Sequence, residues 1–197
     1  MGFEYEKKFR ADENILKEID KALKEPPYIL QMETTYYDTP KGALSKRKIT
    51  LRRRLENGIS VCTLKTPTGT AARGEHQTEC DNITDSIPIL CKLSNWEELL
   101  LLTAEGVVPV CGAKFTRTAR KISFGGSLLE VALDQGILIG GHKKAPLFEV
   151  EVELLSGKEQ DADLYAALLS QRFSLQEEPK SKFRRALELA KGDEKWH

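Results

Sequence analysis

The chain has 197 residues, enough for one substantial domain or two small ones. Thirty lysines and arginines balance thirty aspartates and glutamates, so no general attraction to nucleic acid or to an anionic membrane is expected. No apolar run is long enough to span a bilayer and no leader pattern is present, which predicts a cytoplasmic protein. The cysteines Cys62, Cys80, Cys91 and Cys111 form no C-x-x-C pair and have no histidine at zinc-site spacing, so reduced thiols are expected.

In chain order, alternation predicts a first strand at about 2–10. A helix follows from Asp12, a plausible N-cap, with Ile15, Leu16, Ile19 and Leu23 at helical spacing, and Pro26-Pro27 stops it. Strands are predicted at about 28–38, 48–56, 60–66 and 73–80, separated by turn signals at Pro40-Lys-Gly42, Asn57-Gly58 and Pro67-Thr-Gly69. Asn57-Gly58 between alternating runs is a strong hairpin signal. The stretch 86–104 reads as one helix with Leu93, Trp96, Leu99 and Leu100 on a face. Strands resume at about 113–124, 127–133, 137–140 and 146–155, with a hairpin at Gly125-Gly126, and two helices near 160–171 and 180–191 close the chain. No linker divides it, which predicts a single domain over 1–197 of α+β class with a largely antiparallel sheet.

Charges keep step along single strand faces. Side chains at i, i+2 and i+4 share a face of a strand, so Glu4, Glu6 and Lys8 project together. Arg52 and Arg54 alternate with Leu51, Arg53 and Leu55, and Lys65 shares a face with Val61 and Thr63. Glu130 and Asp134 lie opposite Leu129, Val131 and Leu133, while Glu149, Glu151 and Glu153 alternate with Phe148, Val150, Val152 and Leu154. An open antiparallel sheet with one solvated face accounts for alternation. It does not account for three glutamates in step, which repel one another unless cations intervene. A closed barrel with its charged face inward and helices outside accounts for both.

Taken together, these residues resemble the CYTH domain, or triphosphate tunnel metalloenzyme, superfamily. The likeness rests on Glu4-x-Glu6-x-Lys8, Tyr36-Tyr-Asp-Thr-Pro40 with Leu44, and Leu51-Arg-x-Arg54. It continues through Thr63-Leu-Lys65, Arg73-x-Glu75, Arg117, Leu129-Glu-Val-Ala-Leu-Asp-x-Gly136 and Glu149-x-Glu-x-Glu153-Leu. Ser181-Lys182 with Arg184 and Arg185 resembles the family's C-terminal helix, so the similarity runs over about 2–190. The resemblance implies an antiparallel eight-stranded β-barrel, a tunnel flanked by helices, in which triphosphates are hydrolysed or cyclised with Mg²⁺ or Mn²⁺.

The residue types suit that chemistry. Arginines one strand step apart can fork onto oxygens of neighbouring phosphates, which lysine cannot reproduce. Arg52, Arg54, Lys8, Lys65, Arg117 and Lys182 are therefore the phosphate-binding candidates. Carboxylates suit hard divalent cations, making Glu4, Glu6, Glu149, Glu151 and Glu153 candidate ligands for Mg²⁺ or Mn²⁺. Glu6, Glu151 and Lys8 are the catalytic candidates, and Glu75, Glu130 and Asp134 are secondary ones. Lys7 and Arg53 fall out of phase with the motifs, Arg120 and Lys121 have an uncertain phase after Arg117, and Tyr37 and Asp38 read as turn and packing elements. A P-loop is absent from the sequence. The expected activity is metal-dependent hydrolysis of a small-molecule triphosphate, foremost inorganic triphosphate, by a monomer or homodimer. The alternatives are an adenylyl cyclase of class IV type and a non-catalytic polyphosphate- or nucleotide-binding module.

Overall fold

The computed structural model describes residues 2–67 and 73–191, with side chains from Tyr5 onward except that of Arg73. The expected turn at Pro67-Thr-Gly69 extends outside the described residues. The elements are β1 (Gly2–Glu4), β2 (Glu6–Arg10), α1 (Glu13–Ala22), β3 (Tyr28–Asp38), α2 (Ala43–Lys46), β4 (Thr50–Glu56), β5 (Ile59–Pro67) and β6 (Arg73–Glu79). They continue with α3 (Ile83–Ser94), α4 (Glu98–Leu102), β7 (Val108–Phe124), β8 (Ser127–Gly140), β9 (Lys143–Ser156), α5 (Glu159–Phe173), β10 (Gln176–Glu177) and α6 (Lys182–Lys191).

All of these strands join one antiparallel sheet in the order β1-β6-β5-β4-β3-β7-β8-β9-β2-β10. The expected first strand is split at Tyr5. Its first half pairs with β6 at one margin and its second half with β9 near the other. Since β1 and β2 are separated by Tyr5 alone, the chain itself ties the two margins together and curls the sheet. The Tyr5 carbonyl also accepts a hydrogen bond from the Leu154 amide at 2.9 Å. "Barrel" therefore describes the molecule loosely. The expected eight-stranded ring is a curled ten-stranded sheet whose ladder order remains open.

The convex face carries two apolar clusters. Leu129, Val131, Val150 and Val152 of β8 and β9 pack with Ile19 of α1 and Ala166 of α5. Leu51, Cys62 and Leu64 of β4 and β5 pack with Leu44 of α2, Ile87 and Leu90 of α3 and Leu99 of α4. These are the apolar partners in the alternation, so burying them turns Arg52, Arg54, Glu149 and Glu151 to the concave side. Replacing a fully buried leucine such as Leu129 with alanine would cost about 2–5 kcal/mol.

The concave face departs from the uniformly charged lining that alternation predicts. Met32 and Tyr36 of β3, Phe115 of β7, and Leu138 and Leu147 of β8 and β9 form a third cluster, covered by α6 through Ala186, Phe183 and Leu187. A Cβ on Gly140 would lie 2.3 Å from the Ala190 nitrogen and 2.6 Å from the Ala186 oxygen, so glycine lets α6 lie directly on β8. Gly136 plays a similar part inside the sheet, where a Cβ would come within 2.5 Å of the Phe115 Cα. It therefore does not end a strand. The two strands expected at 127–133 and 137–140 are the single β8.

The helix expected over 86–104 is two helices, broken at Asn95, whose φ of 52° is left-handed. The break changes the expected face: Leu99 is fully buried, whereas Leu93 is 50 % and Leu100 45 % exposed. Asp38 acts as the turn element expected, accepting backbone N–H bonds from Thr39, Leu44 and Ser45 at 2.7, 2.9 and 3.0 Å. The four cysteines are free thiols, and burial pushes that of Cys111 up to about 12.

Candidate functional site

Curling the sheet encloses a cavity of about 870 Å³ on the concave side. Among the described residues its lining includes seven lysine and arginine side chains and five glutamates, a balance favouring anions. Glu6, Lys8, Arg52, Arg54, Lys65, Glu75, Arg117, Glu151, Glu153 and Lys182 all reach it, from β2, β4, β5, β6, β7, β9 and α6. Glu149, Asp134 and Glu130 lie outside that lining. The side chain of Glu4 falls outside the described residues.

The basic wall is built by β4 and β5. In the β4–β5 ladder Thr50 faces Lys65 and Arg52 faces Thr63, so a two-residue period sets three cations along one surface. Arg52 and Lys65 share one carboxylate, Glu75, at 3.4 and 3.3 Å. Arg52 Nε is buried with no hydrogen-bond partner among the described residues. Arg54 donates to the Thr34 hydroxyl at 3.1 Å and has Glu56 at 3.6 Å. Burial, and then the adjacent Arg52, pull the Arg54 guanidinium down to about 10. Under-neutralised, buried arginines of this kind are stabilised by an arriving anion.

The opposite wall is a closed ion-pair network. Arg117 grips Asp134 with Nε and a terminal nitrogen at 2.7 and 2.8 Å, and it also bonds Glu151. The Lys182 ammonium reaches Asp134 at 2.8 Å, Glu151 at 2.6 Å, and Glu149. Glu149 also accepts from Arg185. Asp134 and Glu149 are fully buried. Burial alone would lower the pKa of Lys182 and of Arg117, but the surrounding carboxylates outweigh it and raise both. For the coupled carboxylates, burial is the largest influence and pushes Glu149 up to about 7. Glu151 meets the same penalty, yet Lys182 and Arg117 overcome it and hold its carboxyl well below the usual range.

At the N-terminal strand, Lys8 bonds Glu6 at 3.0 Å. Across the β2–β9 ladder Glu6 stands directly opposite Glu153, and Lys8 opposite Glu151. Glu130 accepts from the Tyr28 hydroxyl and lies 3.8 Å from Arg117. Burial, followed by that bond, raises the Tyr28 hydroxyl pKa.

Of the out-of-phase residues, Arg53 bonds the Ser60 hydroxyl at 2.8 Å, and Lys7 pairs with Asp163 at 3.1 Å while also lining the cavity. Arg120 belongs to the helix layer, donating to the Glu25 carbonyl at 3.0 Å and meeting Asp20 at 2.8 Å. Sequence reasoning does not assign Arg185 to the network, although its place three residues after Lys182 puts both on one face of a helix. Tyr28 carries no comparable signal. Its link to Glu130 exists through the β3–β7 and β7–β8 ladders.

This fold and site define the class. Residues 2–187 match the CYTH domain family, to which the chain belongs. The chain is also 36 % identical over 135 residues to an inorganic triphosphatase of Haemophilus influenzae. That match covers 67 % of this chain and 38 % of the relative, so the chain spans about two fifths of the relative's length. Among solved structures, a candidate adenylate cyclase of Bacillus halodurans superposes with a TM-score of 0.62 at 17 % identity, covering 92 % of this chain and 96 % of that one. A candidate adenylyl cyclase of Hippeastrum with a dominant triphosphatase activity superposes at 0.63 with 15 % identity, covering 93 % of each chain. A Pyrococcus horikoshii OT3 protein gives 0.63 at 21 % identity, covering 94 % and 98 %. These likenesses establish the fold. Among the described residues no helix is long and apolar enough to cross a membrane.

Proposed function

We propose that this protein hydrolyses a triphosphate with the help of Mg²⁺ or Mn²⁺, with inorganic triphosphate the leading substrate. The observation that carries this reading is the basic wall of Arg52, Arg54 and Lys65 facing Glu6, Glu151 and Glu153 across one cavity. The related Haemophilus influenzae inorganic triphosphatase adds weight to the choice of substrate.

A hard divalent cation fits the carboxylates at the cavity. Glu6 and Glu153 are directly opposed across two strands and both line the cavity, so they offer carboxylate oxygens of the kind a hard divalent cation takes. Glu6, Glu153 and Glu151 would hold the ion, which would supply positive charge against the phosphate oxygens. The side chain of Glu4 lies outside the described residues.

The chain's own groups account for the remaining chemistry. Arg52 and Arg54 fork onto non-bridging oxygens, while Lys8 and Lys65 add charge from neighbouring strands. Arg117, fixed by Asp134, presents its guanidinium to the terminal phosphate without reorganising. Water attacks the terminal phosphorus, the anhydride bond to the leaving pyrophosphate breaks, and orthophosphate is released. Glu6 and Glu151, both at the cavity, are the candidates to take the proton from that water.

The test is incubation with inorganic triphosphate and with ATP, each with Mg²⁺, with Mn²⁺ and with EDTA. Orthophosphate plus pyrophosphate from triphosphate, abolished by EDTA, is the expected result. Cyclic AMP from ATP would instead identify a cyclase. Triphosphate binding that survives EDTA without turnover under either metal would identify a binding module, and either outcome would overturn the proposal.

A further inference from the structure

Asp134, Glu149 and Glu151 offer carboxylate oxygens within 4.8 Å of one another, the spacing of a metal cage. Their surroundings are those of a cage already filled. The Lys182 ammonium contacts all three carboxylates. Arg117 bonds Asp134 and Glu151, and Arg185 bonds Glu149. Each of the three carboxylates is thus already held by at least two cationic side chains, and the ammonium sits between them where a dication would have to go. Lys182, the first residue of α6, is only 6 % exposed, so expelling it would strip a buried ammonium of its partners.

We propose that Lys182 is a resident counter-ion. It occupies the Asp134–Glu149–Glu151 cage in place of a metal, locks α6 across the concave face, and confines divalent cations to the cavity carboxylates led by Glu6 and Glu153. Asp134 and Glu149 are then positioning residues. They hold Arg117 and α6 in place and do not ligate metal. Glu151 stands at the boundary, with one side chain serving both the cage and the cavity wall.

This inference builds on the metal-dependent reading above, but it is tested by metal location and not by turnover. Anomalous diffraction from wild-type crystals soaked in MnCl₂ should give a peak at Glu6 and Glu153 and none coordinated by Asp134 or Glu149. Calorimetric titration of Lys182→Met with Mn²⁺ should reveal about one more bound ion per chain than wild type, because the emptied cage is now an oxygen site with net negative charge. Glu149→Gln should retain the wild-type Mn²⁺ stoichiometry while its melting temperature falls. A manganese peak held by Asp134 or Glu149 in the wild-type protein would overturn the proposal. So would loss of a wild-type Mn²⁺ equivalent in Glu149→Gln, or no gain in folded Lys182→Met. If Lys182→Met does not fold, the wild-type diffraction decides alone. If wild type takes up no Mn²⁺ at all, the metal-dependent reading falls, and the gain or its absence in Lys182→Met still decides this one.

Discussion

Two walls of one curled sheet handle charge in opposite ways. On β4 and β5, Arg52 and Lys65 share the Glu75 carboxylate, and Arg54 has Glu56 at 3.6 Å. On β7 to β9, Arg117 and Lys182 are matched oxygen for oxygen by Asp134, Glu149 and Glu151. Both walls follow the same two-residue alternation and are similarly buried. The difference is that the first buries Arg54 with Glu56 at 3.6 Å and leaves Arg52 Nε without a hydrogen-bond partner among the described residues, whereas the second bonds Arg117 and Lys182 directly to buried carboxylates. Burying a cation without a full set of partners costs stability, so Arg52 and Arg54 are the cations that an arriving anion would relieve most.

The contrast can be broken from the second wall first. Asp134→Asn should cost about 3–5 kcal/mol in urea unfolding, the usual result of removing one partner from a buried ion pair. A loss under about 1 kcal/mol would show that the network does not hold the fold. On the first wall, Arg52→Ala should lower kcat/KM for triphosphate at least about 100-fold, as loss of one preorganised donor does. Its melting temperature should change by no more than a few degrees, since among the described residues Arg52 makes one ion pair, at 3.4 Å. A larger drop in stability than in turnover would erase the distinction between the walls. Between them, Glu6→Gln should reduce metal-dependent turnover at least about tenfold with folding intact. Wild-type-like turnover in that variant would remove Glu6 from the site.

The smallest effect concerns the loop that leads into α6. Burial opposes ionisation of Glu178, but the Lys180 amide and the Arg10 and Arg185 guanidinia prevail and hold its carboxyl below the usual range. A depressed carboxyl contributes stability above its unfolded pKa of about 4.3 and loses that contribution as pH falls through the lower folded value. Glu178→Gln should therefore destabilise by about 1 kcal/mol at pH 7, with the gap to wild type closing as pH falls below about 4. A gap independent of pH would show that Glu178 acts through packing alone.

Much of the cavity lining is legible in the order of residues alone. Glu6 with Lys8, Arg52 with Arg54, and Glu151 with Glu153 pair correctly because alternation is a local property of a strand, and each pair lines the cavity. Glu149 shares their phase and groups with them on that basis, yet it lies under α6, away from the cavity lining. Phase says which face a residue occupies but not how far along the tunnel it sits. The continuity of β8 through Gly136 and the break of the helix at Asn95 escape sequence reasoning for a related cause. Both depend on what packs opposite: Phe115 across the ladder in one case, and the α3–α4 cluster in the other.

By itself the sequence determined the α+β class, the strand faces, the charged constellation and the family likeness, all of which follow from residue type and short-range period. Only the tertiary structure decided which charges neutralise one another. Arg117 meets Asp134, and Lys182 meets Glu149 and Glu151, through registers and a helix docking that join positions far apart in the chain. A buried charge takes its meaning from the counter-charge within about 4 Å of it, and no local pattern specifies that neighbour.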